Sequence, residues 1–210
     1  MPEAPFSDSA FLDVAQLDSG TLYRLLSGAI APRPIAWVST VDAAGHVNLA
    51  PFSFFNVASV DPPVLAFSPL LNDRAEPKDT VRNLEAVGEC VVHVGSEALI
   101  EALNATSATL PPEADEFEHA GLGKARLGDL KPPRIAEAPI AFGCRVRDVL
   151  SFGDRPRSGR LVLAEVVAIH ADPQVWNGRH VSLEALRPIG RLAGADYLRP
   201  SDIFALERPA

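Results

Sequence analysis

The chain has 210 residues, 47% of them apolar, and a formal net charge of −8 at neutral pH. This length and apolar content predict one globular domain with a core of its own. An acidic chain without a basic stripe offers no surface for nucleic acid or an anionic membrane, so neither is expected as a partner.

In chain order, the first half of the sequence predicts a helix, a strand, a longer extended segment, a second strand and a second helix. Leucines at helical spacing predict the first helix, and alternating apolar side chains predict the first strand. Gly45 predicts a hairpin turn after that strand, and Gly88 predicts the end of the second helix. The predicted segments are 21–28, 35–41, 49–59 (interrupted at Pro51), 64–67 and 78–87.

The second half predicts three more strands, one helix and two irregular segments. The strands cover 90–94, 140–147 and 161–169, and the helix covers 96–104 with Ser96 as its N-cap. Residues 105–135 are rich in proline, glycine and acidic side chains, which predicts a long loop of the kind that is functional or mobile. His119 in this loop is the histidine placed best to reach a pocket, although a solvated position is favoured. The tail over 183–210 has no regular pattern.

The balance of elements predicts a mostly β protein built as a barrel. Six or seven predicted strands, most of them separated by turn signals, occur with only three or four short helices. Strand–helix–strand repetition is weak, which argues against a doubly wound parallel sheet. We therefore expect a single domain over residues 1–210, an antiparallel barrel with a few short helices at its ends.

Three familiar functional motifs are incomplete or missing. The glycine-rich run Gly121–Gly128 lacks both the Gly-Lys-Ser/Thr ending and the preceding strand of a phosphate loop. The sequence has no Gly-x-Ser-x-Gly nucleophile elbow. The five histidines show no metal-binding spacing, so no metal site is expected.

The sequence also predicts a compartment. It has no apolar run near the roughly 20 residues that cross a bilayer. Met1–Asp13 contains acids instead of the basic start of a secretory signal. Cys90 and Cys144 lie far apart in apolar contexts, which favours buried free thiols over a disulfide. The cytoplasm is therefore the expected location.

The stretch Asn48–Asn56, NLAPFSFFN, combines amides, a proline and three phenylalanines in one extended segment. Because a proline takes away one ladder donor, it marks an edge or a bulge, where backbone groups are free to meet a ligand. Asn48 and Ser53 add polar side chains, and the phenylalanines add apolar walls. A planar ring with polar edges would fit this stretch, and an irregular core strand with satisfied amides fits it equally well.

A second candidate is the start of the predicted helix within Arg74–Asn83, RAEPKDTVRN. A helix N-terminus presents unpaired N–H groups and the positive end of the dipole, and Arg74, Lys78 and Thr80 add two cations and a hydroxyl for a phosphate. Asp79 would repel a phosphate, so either it or Thr80 is expected to cap the helix, or Asp79 orients the cations. An ordinary capped surface helix is the competing interpretation, and these residues alone favour it.

A third and weaker candidate lies near the C-terminus, in Arg187–Tyr197. Arg191 stands there between glycines at positions 190 and 194, close to an aromatic residue. The segment is either a plain turn or a loop that brings a cation to the rim of a pocket.

Taken together and in this order, several stretches resemble the flavin reductase-like, FMN-binding split-barrel proteins, with the flavoredoxin branch nearest. They are PRPIAWVST, NLAPFSFFN, PPVLAFSP, KDTVRNLEAVGECVVHV, EFEHAGL and PIGRLAGADY. The resemblance runs from about residue 20 to about residue 200, and the joint order of the motifs is more specific than any one of them. The tail departs from the pattern, since relatives tend to have a second glycine and a further aromatic residue where this chain has RLAGADY.

The resemblance implies a split β-barrel that forms a homodimer, with one FMN per subunit near the dimer interface. It places Trp37, Ser39 and Thr40 beside the flavin and brings Arg191 from the tail. The residues that it places along the isoalloxazine are Asn48, Ala50, Pro51, Phe52 and Ser53. Those that it places around the ribityl chain and phosphate are Ser68, Arg74, Lys78, Asp79 and Thr80.

The implied activity is NAD(P)H:flavin reduction, in which the flavin itself carries the chemistry and no side chain is needed as acid or base. Electrons would pass on to an acceptor, either a small molecule or a protein such as a flavin-dependent oxygenase. The alternative from another class is a non-enzymatic, flavoredoxin-like electron carrier that binds FMN. Reduction by nicotinamide cofactors separates the two.

Overall fold

The structure is a computed structural model that describes residues 11–111 and 113–209. Its main feature is one seven-stranded sheet in which every strand pair is antiparallel. Two short two-stranded ribbons accompany it. The strands are β1 Ala36–Val41, β2 Val47–Phe52, β3 Phe55–Val60, β4 Pro63–Phe67, β5 Glu89–Val94, β6 Lys124–Ala125, β7 Arg134–Ile135, β8 Ile140–Ser151, β9 Arg160–Ala171, β10 Gly190–Arg191 and β11 Tyr197–Leu198.

The helices are short and lie between these strands. They are α1 Ser19–Ala29, α2 Asp79–Val87, α3 Ile100–Ala105, α4 Glu116–His119 and α5 Leu183–Leu186, with 3₁₀ turns at Val14–Gln16 and Glu97–Leu99. Within the described ranges, no helix is long and apolar enough to cross a bilayer. The mostly β class with few short helices is as predicted.

The large sheet curls into a barrel that is open along one side. Its strand order is β2-β1-β5-β8-β9-β4-β3, so β2 and β3 form the two edges although they are neighbours in the chain. Buried side chains of β1 and β4, four strands apart, pack in one cluster around Val38 and Phe67. The sheet must therefore close over this cluster, and the opening lies between β2 and β3.

Strand β1 is buried on both faces, and its two faces belong to different parts of the core. Ala36 and Val38 point into the barrel cluster, while Trp37 packs with Leu103 and Phe117 from the helices outside the barrel. Successive side chains of a strand point to opposite sides, which explains the division. This second cluster fixes α3, α4 and the 105–135 segment against the sheet.

Most predicted elements are confirmed, and several bounds are corrected. The helix predicted over 78–87 begins at Asp79 and ends as expected at Gly88, which has a left-handed φ of 76°. The segment over 105–135 contains α4 and the β6–β7 ribbon, so it is less irregular than predicted. Likewise, the tail over 183–210 contains α5 and the β10–β11 ribbon.

The helix predicted over 96–104 is wrong at its start. Ser96 has extended φ and ψ, and its side chain caps nothing. Its backbone instead forms a bridge with Pro188, and Glu97 N–H donates to Arg187 O at 2.9 Å. The pairing with the tail holds Ser96 extended, a 3₁₀ turn follows over Glu97–Leu99, and regular α-helix begins only at Ile100.

The two cysteines are buried free thiols, as predicted. Cys90 and Cys144 lie directly opposite each other on β5 and β8, inside the barrel cluster. Their mutual hydrogen bond, together with burial, raises the pKa of the Cys90 thiol well above its usual value. A thiol that stays protonated is a poor nucleophile, so these residues serve the packing of the core.

Candidate functional site

A cleft of about 960 Å³ opens where β2 gives way to β3, facing the start of α2. Its volume lies within the range of small-molecule sites, roughly 300–1,000 Å³. Ten residues singled out in the sequence line it, from two separate stretches and the end of β4. They are Asn48, Ala50, Pro51, Phe52, Ser53, Ser68, Arg74, Lys78, Asp79 and Thr80.

The backbone of β2 is open on its outer side because β2 is an edge strand. Leu49, which lies opposite Ser39 on β1, directs its N–H away from β1 to Glu116 Oε2 at 3.1 Å. Bonded and non-bonded pairs alternate along an antiparallel ladder, so Pro51 also occupies a non-bonded position. The proline therefore removes no hydrogen bond from the sheet, and the carbonyl of Pro51 faces outward.

Pro51 lies on an edge strand, as predicted. The strand is not interrupted at Pro51, so that part of the prediction is wrong. Pairing with β1 continues through Pro51 to Phe52, which lies opposite Ala36. The break falls at Ser53–Phe54, between β2 and β3. Both residues of this break line the cleft, at the point where the two unpaired edge strands meet in the chain.

The start of α2 has no side-chain cap, which contradicts the prediction for Asp79 and Thr80. Lys78 occupies the N-cap position, and among the described residues no side chain accepts a hydrogen bond from the first turn. Asp79 instead forms an ion pair with Arg82, which is neither of the two cations, Lys78 and Arg74, that it was predicted to orient. The Thr80 hydroxyl accepts a hydrogen bond from Asn48 Nδ2 at 3.0 Å. The positive end of the helix dipole thus faces the cleft, and the described part of the chain supplies no side-chain cap for it.

Two cations stand beside this helix start. Lys78 and Arg74 are exposed to the cleft, and neither side chain makes an ion pair or hydrogen bond with any part of the chain that the structure describes. Arg74 is held by a tight loop in which Asn72 Oδ1 accepts from the N–H groups of Arg74 and Glu76, each at 2.9 Å. The loop therefore presents the arginine at the cleft without neutralising it.

A buried polar network joins β1, β2 and α2 behind the cleft. Asn48 Nδ2 donates to Thr80 Oγ1 at 3.0 Å and more weakly to Thr40 Oγ1 at 3.4 Å, and Asn83 Nδ2 donates to Thr40 Oγ1 at 3.1 Å. Asn48 lines the cleft, and its Oδ1 has no hydrogen-bond partner among the described residues. The network thus fixes the Asn48 amide and leaves one acceptor free.

Four residues that the resemblance placed at the flavin do not line the cleft. Trp37, Ser39 and Thr40 are fully buried. Ser39 Oγ donates to Pro133 O at 2.7 Å, and Thr40 supports Asn48 from behind. Arg191 lies over the Tyr197 ring, with its guanidinium carbon 4.5 Å from the ring centroid, and donates to Gly194 O. In a single chain, these side chains are occupied elsewhere.

Replacing Thr106 with valine should lower the free energy of unfolding by about 1–3 kcal/mol, because a buried donor is left unpaired. Trp37 Nε1 donates to Thr106 Oγ1 at 2.8 Å, and both residues are buried. Urea unfolding measures the effect, and Thr109→Val, at an exposed position of the same segment, is the control. Equal stability of the two variants would contradict the assignment.

Phe54, one of the phenylalanines predicted to add an apolar wall, also lines the cleft, together with residues that the sequence did not single out. These are Tyr23, Leu70–Asp73, Glu76, Pro77, Arg82, Thr106–Leu110, Glu116 and Arg157. Arg157 belongs to the β8–β9 hairpin, which pairs with the chain after β4 through Leu71 N–H to Ser158 O at 3.0 Å and Arg157 N–H to Leu71 O at 3.1 Å. A positive φ of 68° at Arg157 is the local sign of a constrained position.

Glu116 is the one carboxylate of the cleft wall that binds the edge of β2. Burial raises the pKa of Glu116, and the charges of Asp115 and Asp79 act in the same direction, while the hydrogen bond from Leu49 N–H opposes them. His119, three residues on, is exposed and does not line the cleft. The residues described here include no cluster of three or more His, Cys, Asp or Glu that could hold a metal ion.

Comparison with known proteins assigns the family. The model of the flavin reductase like domain matches residues 28–182. An uncharacterized protein of Halalkalibacterium halodurans is 41% identical, with 89% of this chain and 90% of that protein aligned.

Two solved structures are similar over nearly the whole chain. Nitrilotriacetate monooxygenase component B from Bacillus cereus is 33% identical with a TM-score of 0.89, covering 94% of this chain and 98% of that one. The Pseudomonas fluorescens 2-nitrobenzoate 2-nitroreductase is 27% identical with a TM-score of 0.85, covering 95% and 96%. The barrel that is open between β2 and β3 has the split-barrel fold of a flavin reductase-like protein from Shewanella frigidimarina. From its sequence and its fold, the chain belongs to the flavin reductase-like family.

Proposed function

We propose that this protein is an FMN-dependent oxidoreductase of the NAD(P)H:flavin reductase type. The observation that carries the proposal is the uncapped start of α2, flanked by the unpaired cations Lys78 and Arg74, directly across the cleft from the open edge of β2. A phosphate and a flat polar ring are the two parts of one ligand that these two features suit. Membership in the flavin reductase-like family supports the same ligand.

The start of α2 fits the phosphate group. Helix N-terminal N–H groups and the dipole favour an anion, and Lys78 and Arg74 add charge-assisted donors. Ser68 adds a hydroxyl at the end of β4, where Gly159 lies so close that a Cβ there would stand 2.8 Å from Ser68 Oγ. The acids Asp73 and Glu76 lie on the same rim and offset part of the positive charge of Lys78 and Arg74. The affinity for FMN should therefore depend on ionic strength.

The edge of β2 fits the ring. Its outward backbone groups, near Pro51 and Ser53, are free to hydrogen-bond the polar edge, and Phe52 and Phe54 supply apolar walls. Asn48 Oδ1 offers a further acceptor that its network holds in place. When bound, FMN supplies the centre that takes a hydride from NAD(P)H and passes electrons on. The protein's own part is to bind and orient the ring and to limit its access to water.

The relatives and the surface support a proposal for the electron acceptor and for the assembly. The similarity to a monooxygenase component B supports delivery of electrons to a partner oxygenase, and the similarity to a nitroreductase supports direct reduction of a small molecule. Leu26 on α1, Ile30 at its C-cap, and Val57 and Val60 on β3 are exposed in the single chain. Apolar surface of this extent, along an edge strand, supports a homodimer that covers it.

Purified protein should take up one FMN per chain, and the bound flavin should lose its visible absorbance rapidly when NADH or NADPH is added without oxygen. Titration of the apoprotein measures uptake, and anaerobic stopped-flow absorbance measures reduction. Rapid bleaching with either nicotinamide supports the reductase. Tight FMN binding with slow reduction by both nicotinamides would identify an electron carrier instead, and no FMN uptake would overturn the proposal.

A further inference from the structure

Arg33 is a buried cation for which the described residues supply no carboxylate. The residue is 6% exposed, and no ion pair involves it within the described ranges. Its guanidinium donates to Ser27 O, to Ile30 O at 2.9 Å and to Leu192 O at 2.9 Å. A buried charge is costly unless it is paired or fully hydrogen-bonded, so this arrangement requires a reason.

The end of α1 partly compensates the charge. Ser27 and Ile30 offer carbonyl groups at the C-terminal turn of α1, where the helix dipole is negative and favours a cation. Those carbonyls carry only partial charges, so a net positive charge remains beneath this part of the surface. Arg33 also pairs through its backbone with Arg191, N–H to O in both directions at 2.9 and 2.8 Å.

The same guanidinium contacts the wall of the cleft from behind. Arg33 Nε donates to Ser53 Oγ at 3.3 Å, and its central carbon lies 5.9 Å from the centroid of the Phe54 ring. Phe54 in turn packs against Tyr23 of α1, with ring centroids 6.2 Å apart. Ser53, Phe54 and Tyr23 all line the cleft. Arg33 therefore contacts both residues of the break between β2 and β3.

We propose that Arg33 is a positioning residue that holds the Ser53–Phe54 wall and places a fixed positive charge behind it, so that the cleft binds reduced, anionic flavin more tightly than oxidised flavin. The inference rests on the proposed function, because it needs FMN in this cleft. A positive charge near a flavin stabilises the form that carries the extra negative charge, and removing it shifts the midpoint potential downward.

The test compares Arg33→Gln with Arg33→Lys and with Arg24→Gln, which removes an exposed arginine of α1 as a matched control. Circular dichroism checks folding, titration of the apoproteins gives the affinity for oxidised FMN, and dye equilibration gives the midpoint potential. Arg33→Gln should reduce the preference for reduced over oxidised FMN on the order of tenfold, which for a two-electron couple is about 30 mV more negative. Arg33→Lys should bind FMN more weakly but keep the potential close to that of the wild type, and Arg24→Gln should match the wild type in both.

The outcomes separate the role of Arg33 from the proposed function. Wild-type affinity and potential in Arg33→Gln would overturn the inference, and so would equal shifts of the potential in the Gln and Lys variants. If Arg33→Gln does not fold, Ser53→Ala is combined with Arg33→Lys, because Ser53 itself lines the cleft and its loss alone should weaken FMN binding. A combined loss of FMN affinity that is smaller than the sum of the two single losses then supports the inference, and fully additive losses overturn it. Wild-type protein that takes up no FMN overturns the proposed function itself.

Discussion

Replacing Lys78 with alanine is expected to weaken FMN binding by about 10- to 100-fold, the range for losing one charge-assisted contact. Lys78 stands at the uncapped start of α2, and its side chain has no partner among the described residues. The full contact energy is therefore available to a ligand phosphate. Flavin fluorescence during titration of the apoprotein measures the change, and turnover of enzyme saturated with FMN should fall much less.

Two matched variants show whether the loss arises at the helix start. Lys131→Ala removes an exposed lysine that does not line the cleft, and it should bind FMN like the wild type. Lys78→Arg keeps the charge and should recover most of the affinity. Since Lys78 is exposed, the effect should shrink as salt is added. Unchanged affinity in Lys78→Ala would remove the phosphate site from α2.

The strands were predictable because their patterns are local. Residues 35–41 show alternation and residues 64–67 are a continuous apolar run, and the structure has strands at both places within a residue. The end of α2 at Gly88 was equally predictable, because the left-handed conformation that ends a helix depends on the residue at that single position. Pro51 marked an edge, but the exact position of the break depends on how β2 pairs with β1, which no local pattern encodes.

The helix caps were mispredicted because other contacts decide the conformation or the partner of each capping residue. The Thr80 hydroxyl is engaged by Asn48, which is 32 residues away in the chain, and Asp79 pairs with Arg82 of the same helix. Ser96 is kept extended by the backbone bridge to Pro188, near the other end of the chain, and its hydroxyl has no partner among the described residues. A capping motif states what a side chain can do locally, and at Thr80 and Ser96 tertiary pairing decided otherwise.

The candidate site was predictable where its residues are contiguous. Residues of the runs Asn48–Ser53 and Arg74–Thr80 line the cleft together. The first run lies on a strand edge and the second at a helix start, and the sequence predicts both features. Glu116 and Arg157 reach the same cleft only because α4 packs on β2 and the β8–β9 hairpin pairs with the chain after β4. Their role depends on long-range register, so it needs the folded structure.

The unfolding free energy should fall steeply in mild acid because of His93. This residue is fully buried on β5, where Nδ1 bonds to Trp37 O at 2.8 Å and Nε2 accepts from Ile135 N–H at 2.9 Å. Both ring nitrogens are hydrogen-bonded only in the neutral form, because a second proton on Nε2 would face the Ile135 N–H, which is also a donor. Burial accordingly lowers the pKa of His93 from 6.5 to about 4.

The sign of the effect follows from proton binding. Between pH 6.5 and 4 the unfolded chain binds the proton and the folded chain does not, so stability is complete above pH 6.5 and is lost as the pH falls through this window. Between pH 7 and pH 5 the loss due to this residue is about 2 kcal/mol. Urea unfolding at pH 7, 6 and 5 measures it.

His93→Gln isolates this contribution because it removes the titrating ring and keeps a donor and an acceptor on the side chain. The variant should be less stable than the wild type at pH 7, since the amide cannot reproduce both hydrogen bonds, and the difference should narrow by about 2 kcal/mol at pH 5. Burial also lowers the pKa of His170, but that residue is common to both proteins and cancels in the difference. His119→Gln, at an exposed position, should follow the wild type across the range. Parallel curves for His93→Gln and the wild type would show that the buried ring does not stay neutral, and that the bond from Ile135 N–H does not hold β7 against β5.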